Sequence, residues 1–327
     1  MRNPLSISSN VPRTLISMSV SSFMVLLCGV ALIVSAQQDV RGIRVTEDGR
    51  FCSNTEMIES KVSNKAPNLS ALKRTEGRWS LVVGVDNYPD DKYFSLELAG
   101  GWQDAKALGE TLVEYGGFET NLLSNAYATR KMIWESLSRM VEKAKSGPPE
   151  LLLFSFSGHG FVYNGESYLL ASDVKWNGKT PLLVRTSIRT SEIKEQIKRI
   201  GAKQVIILLD VCLVEIGDKS VQPEGQMEID LRGSGNANIT TIYATQLGYP
   251  SYEYKSKHMG YFTWAVVEGI RGGAANPEGV VSLKDLYSYL SSVVPQHVCR
   301  TINQFQKPFA NIEGTNSDNV ILSAVKP

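Results

Sequence analysis

Two apolar segments, LLLFSFSGHG at residues 151–160 and QVIILLDVC at residues 204–212, decide the fold of this protein. Each begins with a run of apolar residues of strand length and ends in a short loop that carries a reactive side chain, His159 or Cys212. Apolar runs of this kind are typical of strands buried on both faces of a sheet. A strand–helix–strand crossover between the segments brings their ends side by side, and with them the histidine and the cysteine.

Strand and helix patterns alternate along the chain from Arg78 onward. The predicted strands cover residues 79–85, 120–123, 151–156, 204–209 and 240–244, and the predicted helices cover 102–115, 131–145, 191–200, 261–270 and 282–294. Ser282 and Asp285 form a capping pair at the start of the last helix. This order predicts an α/β fold, a single three-layer domain with a mostly parallel central sheet flanked by helices. Sites in such sheets form at the carboxyl ends of the strands.

The composition excludes several classes of protein. The chain has 327 residues, 43% of them apolar, with 34 Lys and Arg against 33 Asp and Glu and a formal net charge of +1. A disordered tail, a collagen-like repeat and a small disulfide scaffold are excluded. The balanced charge argues against a nucleic-acid partner. With four cysteines and three histidines, few residues can carry cysteine or histidine chemistry.

Residues 1–36 have the features of a secretory signal peptide. They contain two arginines and no acidic residue, an apolar run from Phe23 to Val34 that Cys28 and Gly29 interrupt, and the small-residue sequence Val34-Ser35-Ala36. These features predict cleavage after Ala36 and export to a periplasm or out of the cell. The alternative is an uncleaved membrane anchor, because Leu15 to Ser35 is long enough to cross a bilayer. Contact with a membrane is expected only in that case.

The segment 37–77 is polar and without clear periodicity, and we interpret it as a linker or N-terminal extension to a domain at 78–327. Cleavage of the signal peptide leaves Cys52, Cys212 and Cys299. In an oxidising compartment Cys52 and Cys299, near the two ends of the mature chain, could pair and leave Cys212 as a thiol. The alternative is three cysteines without a disulfide.

His159 and Cys212 are the residues with the strongest functional signal. His159 lies between two glycines directly after an apolar strand, where we expect it to be exposed and able to act as a general base or acid. Alone, it could equally be a turn histidine without a role, and a lone cysteine is usually a buried apolar residue. Together they form a couple in which the histidine raises the thiolate fraction and the thiolate attacks a carbonyl.

The sequence resembles the caspase-like peptidases, in particular metacaspase-type and bacterial caspase-domain proteins, from about Arg78 to Val325. The segments that carry the resemblance are LVVGVDNY (81–88), GWQDA (101–105), FSFSGHG (154–160), LLDVC (208–212), GYFT (260–263) and QKP (306–308). A caspase histidine also precedes its cysteine by about 50 residues. The resemblance implies a caspase-like fold and a cysteine endopeptidase acting on a peptide or protein substrate.

The resemblance also implies a role for each matching catalytic residue. Cys212 is the expected nucleophile and His159 the expected general base and acid. The backbone amides of Gly160 and Cys212 are expected to hold the oxyanion.

Metacaspase-type relatives bind a basic P1 side chain with acidic residues, and Asp104 and Asp210 match those positions, with Ser157 lining the same pocket. Cleavage after Arg or Lys is therefore expected, rather than after Asp. The alternative for Asp104 is a helix N-terminal residue favoured by the helix dipole.

Other features of the sequence keep alternatives open. Leu213-Val214-Glu215 departs from the residues that usually follow the family's cysteine. A catalytically silent caspase-fold binding module is therefore the alternative function, and another acyl transfer, such as peptide ligation, is a third. Lys219 and Arg232 are candidate self-cleavage sites or merely solvated charges.

No cofactor or metal is predicted, and a calcium requirement is left open because no EF-hand-like loop is present. His258 is expected at the surface and His297 near a helix end. His297 and Cys299 lack the second ligand pair of a zinc site.

Overall fold

The computed structural model describes residues 65–72, 77–88, 98, 100–214, 216, 238–313 and 320–326. The predicted signal segment, most of the predicted linker, Cys52, Lys219 and Arg232 lie outside the described residues. None of the described helices is long and apolar enough to span a membrane.

Strands and helices alternate along the described chain. The strands are β1 (Arg78–Gly84), β2 (Glu119–Ser124), β3 (Leu151–Ser157), β4 (Gly160–Tyr163), β5 (Glu166–Leu169), β6 (Ile188–Arg189), β7 (Gln204–Asp210), β8 (Asn238–Tyr243), β9 (Glu253–Tyr254), β10 (Met259–Gly260), β11 (Val280–Ser282), β12 (Phe309–Glu313) and β13 (Ile321–Ala324). The α-helices are α1 (Gly101–Gly116), α2 (Arg130–Ala144), α3 (Thr180–Thr186), α4 (Thr190–Ile200), α5 (Tyr261–Glu268) and α6 (Leu283–Ile302).

A six-stranded sheet, in the order β12-β8-β7-β3-β1-β2, forms the centre of the described structure. Every neighbouring pair in it is parallel except β12 and β8. The prediction of an α/β fold with a mostly parallel central sheet is therefore confirmed. The apolar segments that precede His159 and Cys212 form β3 and β7, which are direct neighbours in the middle of the sheet.

The central strands are apolar on both faces because each face is covered by helices. In β3, Leu152, Phe154 and Phe156 pack into one core, and Leu151 and Leu153 pack into the other. The first core also contains buried residues of α2 and α4, and the second contains those of α1, α5 and α6. Successive strand residues point to opposite faces, so an apolar run that only Ser155 interrupts fills both cores.

The last long helix, α6, differs in length from its prediction. It begins with the predicted capping box of Ser282 and Asp285 but runs through Pro295 to Ile302, where the sequence predicted an end at residue 294. Proline lacks the backbone N–H that helix interiors use, so it normally ends the pattern. Val294 and Val298, on either side of the proline, are fully buried, and this packing favours continuation of the helix.

The β4–β5 hairpin directly follows His159 and was not predicted. Its strands pair antiparallel around Asn164 and Gly165, which both have positive φ angles, of 50° and 75°. Asn-Gly between two short apolar strands is a strong hairpin signal and could have identified this element. The remaining short strands β6, β9, β10, β11 and β13 carry no comparable pattern.

Gly84, at the end of β1, allows the backbone of α1 to approach the sheet closely. A Cβ atom on Gly84 would lie 1.9 Å from the carbonyl oxygen of Gly101. We expect Gly84→Ala to lower the free energy of unfolding by about 3 kcal/mol or more, because the start of α1 would have to move. Urea unfolding measures this change.

Gly109→Ala, within the helix α1 that packs on Gly84, is the matched control. Its added Cβ would meet nothing closer than Thr120 Cγ2, at 3.5 Å. Because alanine favours helix over glycine, this variant is expected to gain up to about 1 kcal/mol of stability. Equal destabilisation by the two substitutions would contradict the proposed close contact.

Candidate active site

The candidate site lies where β3 and β7 end beside each other. Ser157 and Asp210 are paired in the parallel register, and the N–H of Gly158 donates to the carbonyl of Asp210 at 3.2 Å. His159 and Cys212 each lie two residues beyond this pair. The strand pairing therefore places both residues at one edge of the sheet, although they are 53 positions apart in the chain.

Cys212 is a buried thiol rather than a disulfide cysteine. Its Sγ lies 3.9 Å from the carbonyl oxygen of Ser251, to which it donates. Cys299, in contrast, is disulfide-bonded, and the other half of that disulfide lies outside the described residues.

His159 is buried, with 8% of its surface exposed, which corrects the expectation of an exposed histidine. Its ring packs against Tyr88, with ring centroids 5.1 Å apart. The backbone N–H of His159 donates to the Tyr88 hydroxyl at 2.8 Å, and that hydroxyl donates to the carbonyl of Leu170 at 3.3 Å. Burial raises the pKa of Tyr88, so its hydroxyl stays protonated and keeps this bond. Nothing in the sequence around Tyr88 indicated this contact.

Gly160 brings the loop after β3 against the loop after β7. A Cβ atom on Gly160 would lie 2.9 Å from the Cβ of Val211 and 3.0 Å from the carbonyl oxygen of Tyr168. Any side chain at this position would therefore separate the two loops. The backbone of Gly160, directly after His159, thus packs on the residue that precedes Cys212.

Asp104, in the first turn of α1, is buried and accepts two hydrogen bonds. Ser157 Oγ donates to its Oδ2 at 2.5 Å, and the N–H of Gly260 donates to its Oδ1 at 3.0 Å. The contact with Ser157 joins two of the predicted pocket residues. A first-turn carboxylate that serves only the helix dipole is normally solvated, and this one is not.

Asp210, at the end of β7, is also buried and accepts three hydrogen bonds. Ser251 Oγ donates to Oδ1 at 2.6 Å, and Thr263 donates to Oδ2 through its N–H at 3.1 Å and its Oγ1 at 2.8 Å. Ser251 and Thr263 received no role from the sequence, although Thr263 lies in the segment GYFT that carries the resemblance. The structure brings both to the carboxylate from elements later in the chain.

The two carboxylates share one buried space beside Gly260. A Cβ atom on this glycine would lie 2.2 Å from Asp210 Oδ2 and 3.3 Å from Asp104 Oδ2. Burial raises the pKa of Asp104 well above its ordinary value, and the nearby charge of Asp210 raises it further. Burial also raises the pKa of Asp210, and the hydrogen bonds from Ser251 and Thr263 oppose that shift. Two adjacent buried carboxylates are stable as anions only with a cation beside them.

A cavity of about 40 Å³ connects these carboxylates with the thiol. Its lining includes Asp104, Ser157, Asp210 and Cys212, and one wall is formed by residues 251–253 and Gly260. Burial and the neighbouring Cys212 raise the pKa of Tyr252, in this wall, to about 12. The structure therefore places the predicted nucleophile and all three predicted pocket residues around one cavity.

The comparisons with known proteins identify the family of the domain that contains these residues. The model of the caspase domain family matches residues 77–313, which contain both strand ends and the cavity. The chain belongs to the caspase-domain family. It thus carries a caspase-family cysteine peptidase domain, as the resemblance implied. No curated protein matches the chain.

Solved structures share the fold of this caspase domain at low sequence identity. Protein GSU0716 from Geobacter sulfurreducens is 15% identical, with a TM-score of 0.52, and the match covers 76% of this chain and 100% of that chain. Caspase-1 from Spodoptera frugiperda is 16% identical, also with a TM-score of 0.52, over 76% of this chain and 91% of its own. At this identity the similarity concerns the fold alone, and it confirms the caspase-like fold.

The remaining histidines of the caspase domain, like His159, are not among the residues that line the cavity. His258 is exposed, and His297 packs on Trp264 with ring centroids 4.6 Å apart. Burial and Arg300 lower the pKa of His297, which favours its neutral form. Within the described ranges, no three His, Cys, Asp or Glu side chains are grouped to hold a metal ion.

Proposed function

We propose that this caspase domain is a cysteine endopeptidase that cleaves peptide bonds after Arg or Lys. The observation that carries the proposal is the buried pair of Asp104 and Asp210 in the cavity that Cys212 lines. A basic P1 side chain supplies a cation, which this pair lacks among the hydrogen-bond partners of the described residues, and charge-assisted hydrogen bonds to carboxylates are strong. Ser157, bonded to Asp104, completes the proposed P1 pocket.

The proposed chemistry uses Cys212 and His159. The thiol proton passes to His159, and the thiolate attacks the scissile carbonyl, with the oxyanion held by the backbone amides of Gly160 and Cys212. His159 then gives the proton to the leaving amine as the thioester forms. A water molecule, deprotonated by His159, hydrolyses the thioester, releases the carboxylic acid and restores the thiol. The adjacent ends of β3 and β7 support this pairing of roles.

The cavity is too small in this structure to hold a basic P1 side chain and must enlarge to admit one. Its volume of about 40 Å³ has room for water but is far below the roughly 300–1,000 Å³ of typical ligand pockets. The wall at residues 251–253 leads into the two-residue strand β9, which pairs only with the equally short β10 in the described structure. We propose that this wall moves when substrate binds.

The small volume of the cavity also favours a second candidate function, a catalytically silent binding module of caspase fold. Peptides ending in Arg, Lys, citrulline and Asp, each carrying a fluorogenic leaving group, distinguish the candidates when tested with and without calcium. The peptidase hypothesis expects cleavage of the Arg and Lys peptides and labelling of Cys212 by an alkylating probe. Absence of both cleavage and labelling supports the silent module.

The selectivity for Arg over citrulline, its neutral analogue, is expected to rise with pH. Burial raises the pKa of both aspartates, so each stays protonated to a higher pH than an ordinary aspartate. Only the ionised carboxylates attract a guanidinium, so the preference is lost as the pH falls below the raised pKa values. The ratio of kcat/KM for the two peptides, measured across pH, isolates this effect because titration of Cys212 and His159 cancels. A ratio that is flat or falls with pH would contradict the acidic pocket.

We also propose that the protein is exported, by cleavage of the predicted signal peptide or with that segment retained as an anchor. The disulfide at Cys299 supports export, because disulfides persist mainly in oxidising compartments. Sequencing the N-terminus of the purified protein tests this: a start near Gln37 supports cleavage, and an intact Met1 in membranes supports the anchor.

A further inference from the structure

Gln306, between α6 and β12, is fully buried and contacts the wall of the cavity through its amide group. Its Nε2 donates to the carbonyl of Ala244 at 3.1 Å and to Ser251 Oγ at 3.2 Å. Its Oε1 accepts from the N–H of Tyr252 at 2.9 Å. A backbone N–H can only donate and a carbonyl can only accept, so these partners fix the orientation of the amide.

The amide of Gln306 in turn fixes the direction of the Ser251 hydroxyl. A hydroxyl has one proton, and the Ser251 oxygen already accepts from Gln306. Its proton therefore points to Asp210 Oδ1, at 2.6 Å. The carbonyl of the same serine accepts from the thiol of Cys212. Gln306 thus orients the residue that lies between the proposed nucleophile and a proposed pocket carboxylate, while its own hydrogen bonds go to neither.

We propose that Gln306 is a positioning residue for P1 recognition, which acts through Ser251 on Asp210 and holds the 251–253 wall against the cavity. This inference rests on the proposed function. A hydrogen bond donated to a carboxylate favours its ionised form, and a chain of aligned donors strengthens each bond. Gln306 therefore supports the charge that attracts a basic side chain.

Gln306→Glu is the first test, because it keeps the size of the side chain and the acceptor for Tyr252. The new carboxyl group donates at most one hydrogen bond, where the amide donates two. The Ser251 proton can then turn from Asp210 to the new acceptor. We expect KM for the Arg peptide to rise about tenfold with little change in kcat. The rise of the Arg/citrulline ratio with pH is expected to move about one pH unit higher.

Gln304→Glu is the matched control. Gln304 accepts from the side-chain hydroxyl of Tyr252 at 3.1 Å and has no contact with Ser251 among its hydrogen bonds in the described structure. For the Gln304→Glu protein, KM for the Arg peptide is expected to stay within about twofold of wild type. The rise of its Arg/citrulline ratio with pH is expected at the same pH as in wild type. Equal effects of the two substitutions, or no effect of Gln306→Glu, would overturn the inference.

Ser251→Ala tests whether Gln306 acts through this serine. It is expected to give the same shift in the pH dependence, and adding Gln306→Glu to it is expected to change selectivity little further. Additive effects would overturn the route through Ser251. If Gln306→Glu does not fold, as judged by circular dichroism, an unchanged selectivity in Ser251→Ala overturns the inference by itself.

The failure of the proposed function is recognised separately. If the wild-type protein cleaves none of the peptides, the proposed function fails. Acetyl-arginine amide is then titrated calorimetrically into the wild-type and Gln306→Glu proteins. Weaker binding to the variant supports the inference, and equal binding or no binding to either protein overturns it.

Discussion

Replacing Cys212 with alanine is expected to lower kcat/KM for the Arg peptide by about 10⁴-fold or more. The thiolate is the proposed nucleophile, and no other cysteine thiol lines the cavity in the described structure. The variant loses one sulfur atom and keeps the backbone amides and the residues that orient the substrate. Its fold is therefore expected to persist. Initial rates with the fluorogenic peptides measure the change, and circular dichroism checks the fold.

A serine far from the cavity provides the control for this variant. Ser136, fully buried on α2, also loses a single heavy atom on replacement with alanine, and it contacts Arg139 rather than the site. Ser136→Ala is expected to retain wild-type kcat/KM. An alkylating probe analysed by mass spectrometry is expected to label Cys212 in this control. Wild-type activity in Cys212→Ala would remove Cys212 from the mechanism.

Asp104→Asn is expected to have opposite effects on specificity and stability. We expect the preference for Arg over citrulline to fall by about 100-fold or more, since a buried cation would lose one of its two carboxylates. At neutral pH we also expect the free energy of unfolding of the substrate-free protein to rise. Asparagine keeps the acceptor for the N–H of Gly260, and its NH₂ can donate to Ser157 Oγ after the hydroxyl rotates.

The sign of the stability effect follows from the raised pKa of Asp104. The folded protein binds this proton more tightly than the unfolded chain does. The contribution of the protonated Asp104 to the free energy of unfolding is therefore fully present below the pKa of the unfolded chain. It is lost as the pH rises towards the raised pKa of the folded protein. Asparagine does not ionise, so the variant does not lose this stability. Its gain over wild type should therefore grow with pH between the unfolded and the folded pKa of Asp104. Urea unfolding at several pH values measures it.

Glu110→Gln, in the same helix, is the control for Asp104→Asn. Glu110 is exposed and pairs with Lys106 at 2.8 Å on the surface of α1, where ion pairs contribute little. Neither the Arg preference nor the pH dependence of stability is expected to change. A destabilised Asp104→Asn protein with its Arg preference intact would contradict the assignment of Asp104 to the P1 pocket.

Strand and helix positions could be predicted from the sequence where a periodic apolar pattern spans a whole element. The segments at 151–156 and 204–209 were predicted within one residue of β3 and β7, because their burial on both faces leaves apolar runs that only Ser155 interrupts. The capping box of α6 was predicted for a similar reason, since Ser282 and Asp285 interact across one turn. The passage of α6 through Pro295 could not be predicted, because it depends on packing against distant residues.

The candidate site was predicted in part. His159 and Cys212 could be singled out because each directly follows a buried strand, and parallel strands bring such positions to one edge. Asp104, Asp210 and Ser157 were named only through the resemblance, since nothing local marks an aspartate as buried. Ser251 and Gln306 received no role. The sequence around a serine or glutamine in a loop follows no periodic pattern, so it does not show which residues the side chain contacts.

The sequence by itself determined the parallel α/β sheet and the placement of a histidine and a cysteine at neighbouring strand ends. Alternation and apolar runs report how each residue is buried, and that information is local. Only the tertiary structure decided that Asp104 lies beside Gly260, 156 positions away, that His159 is buried against Tyr88, and that the cavity is small. These features depend on how separate elements pack, and side-chain contacts between distant segments leave no pattern within either segment.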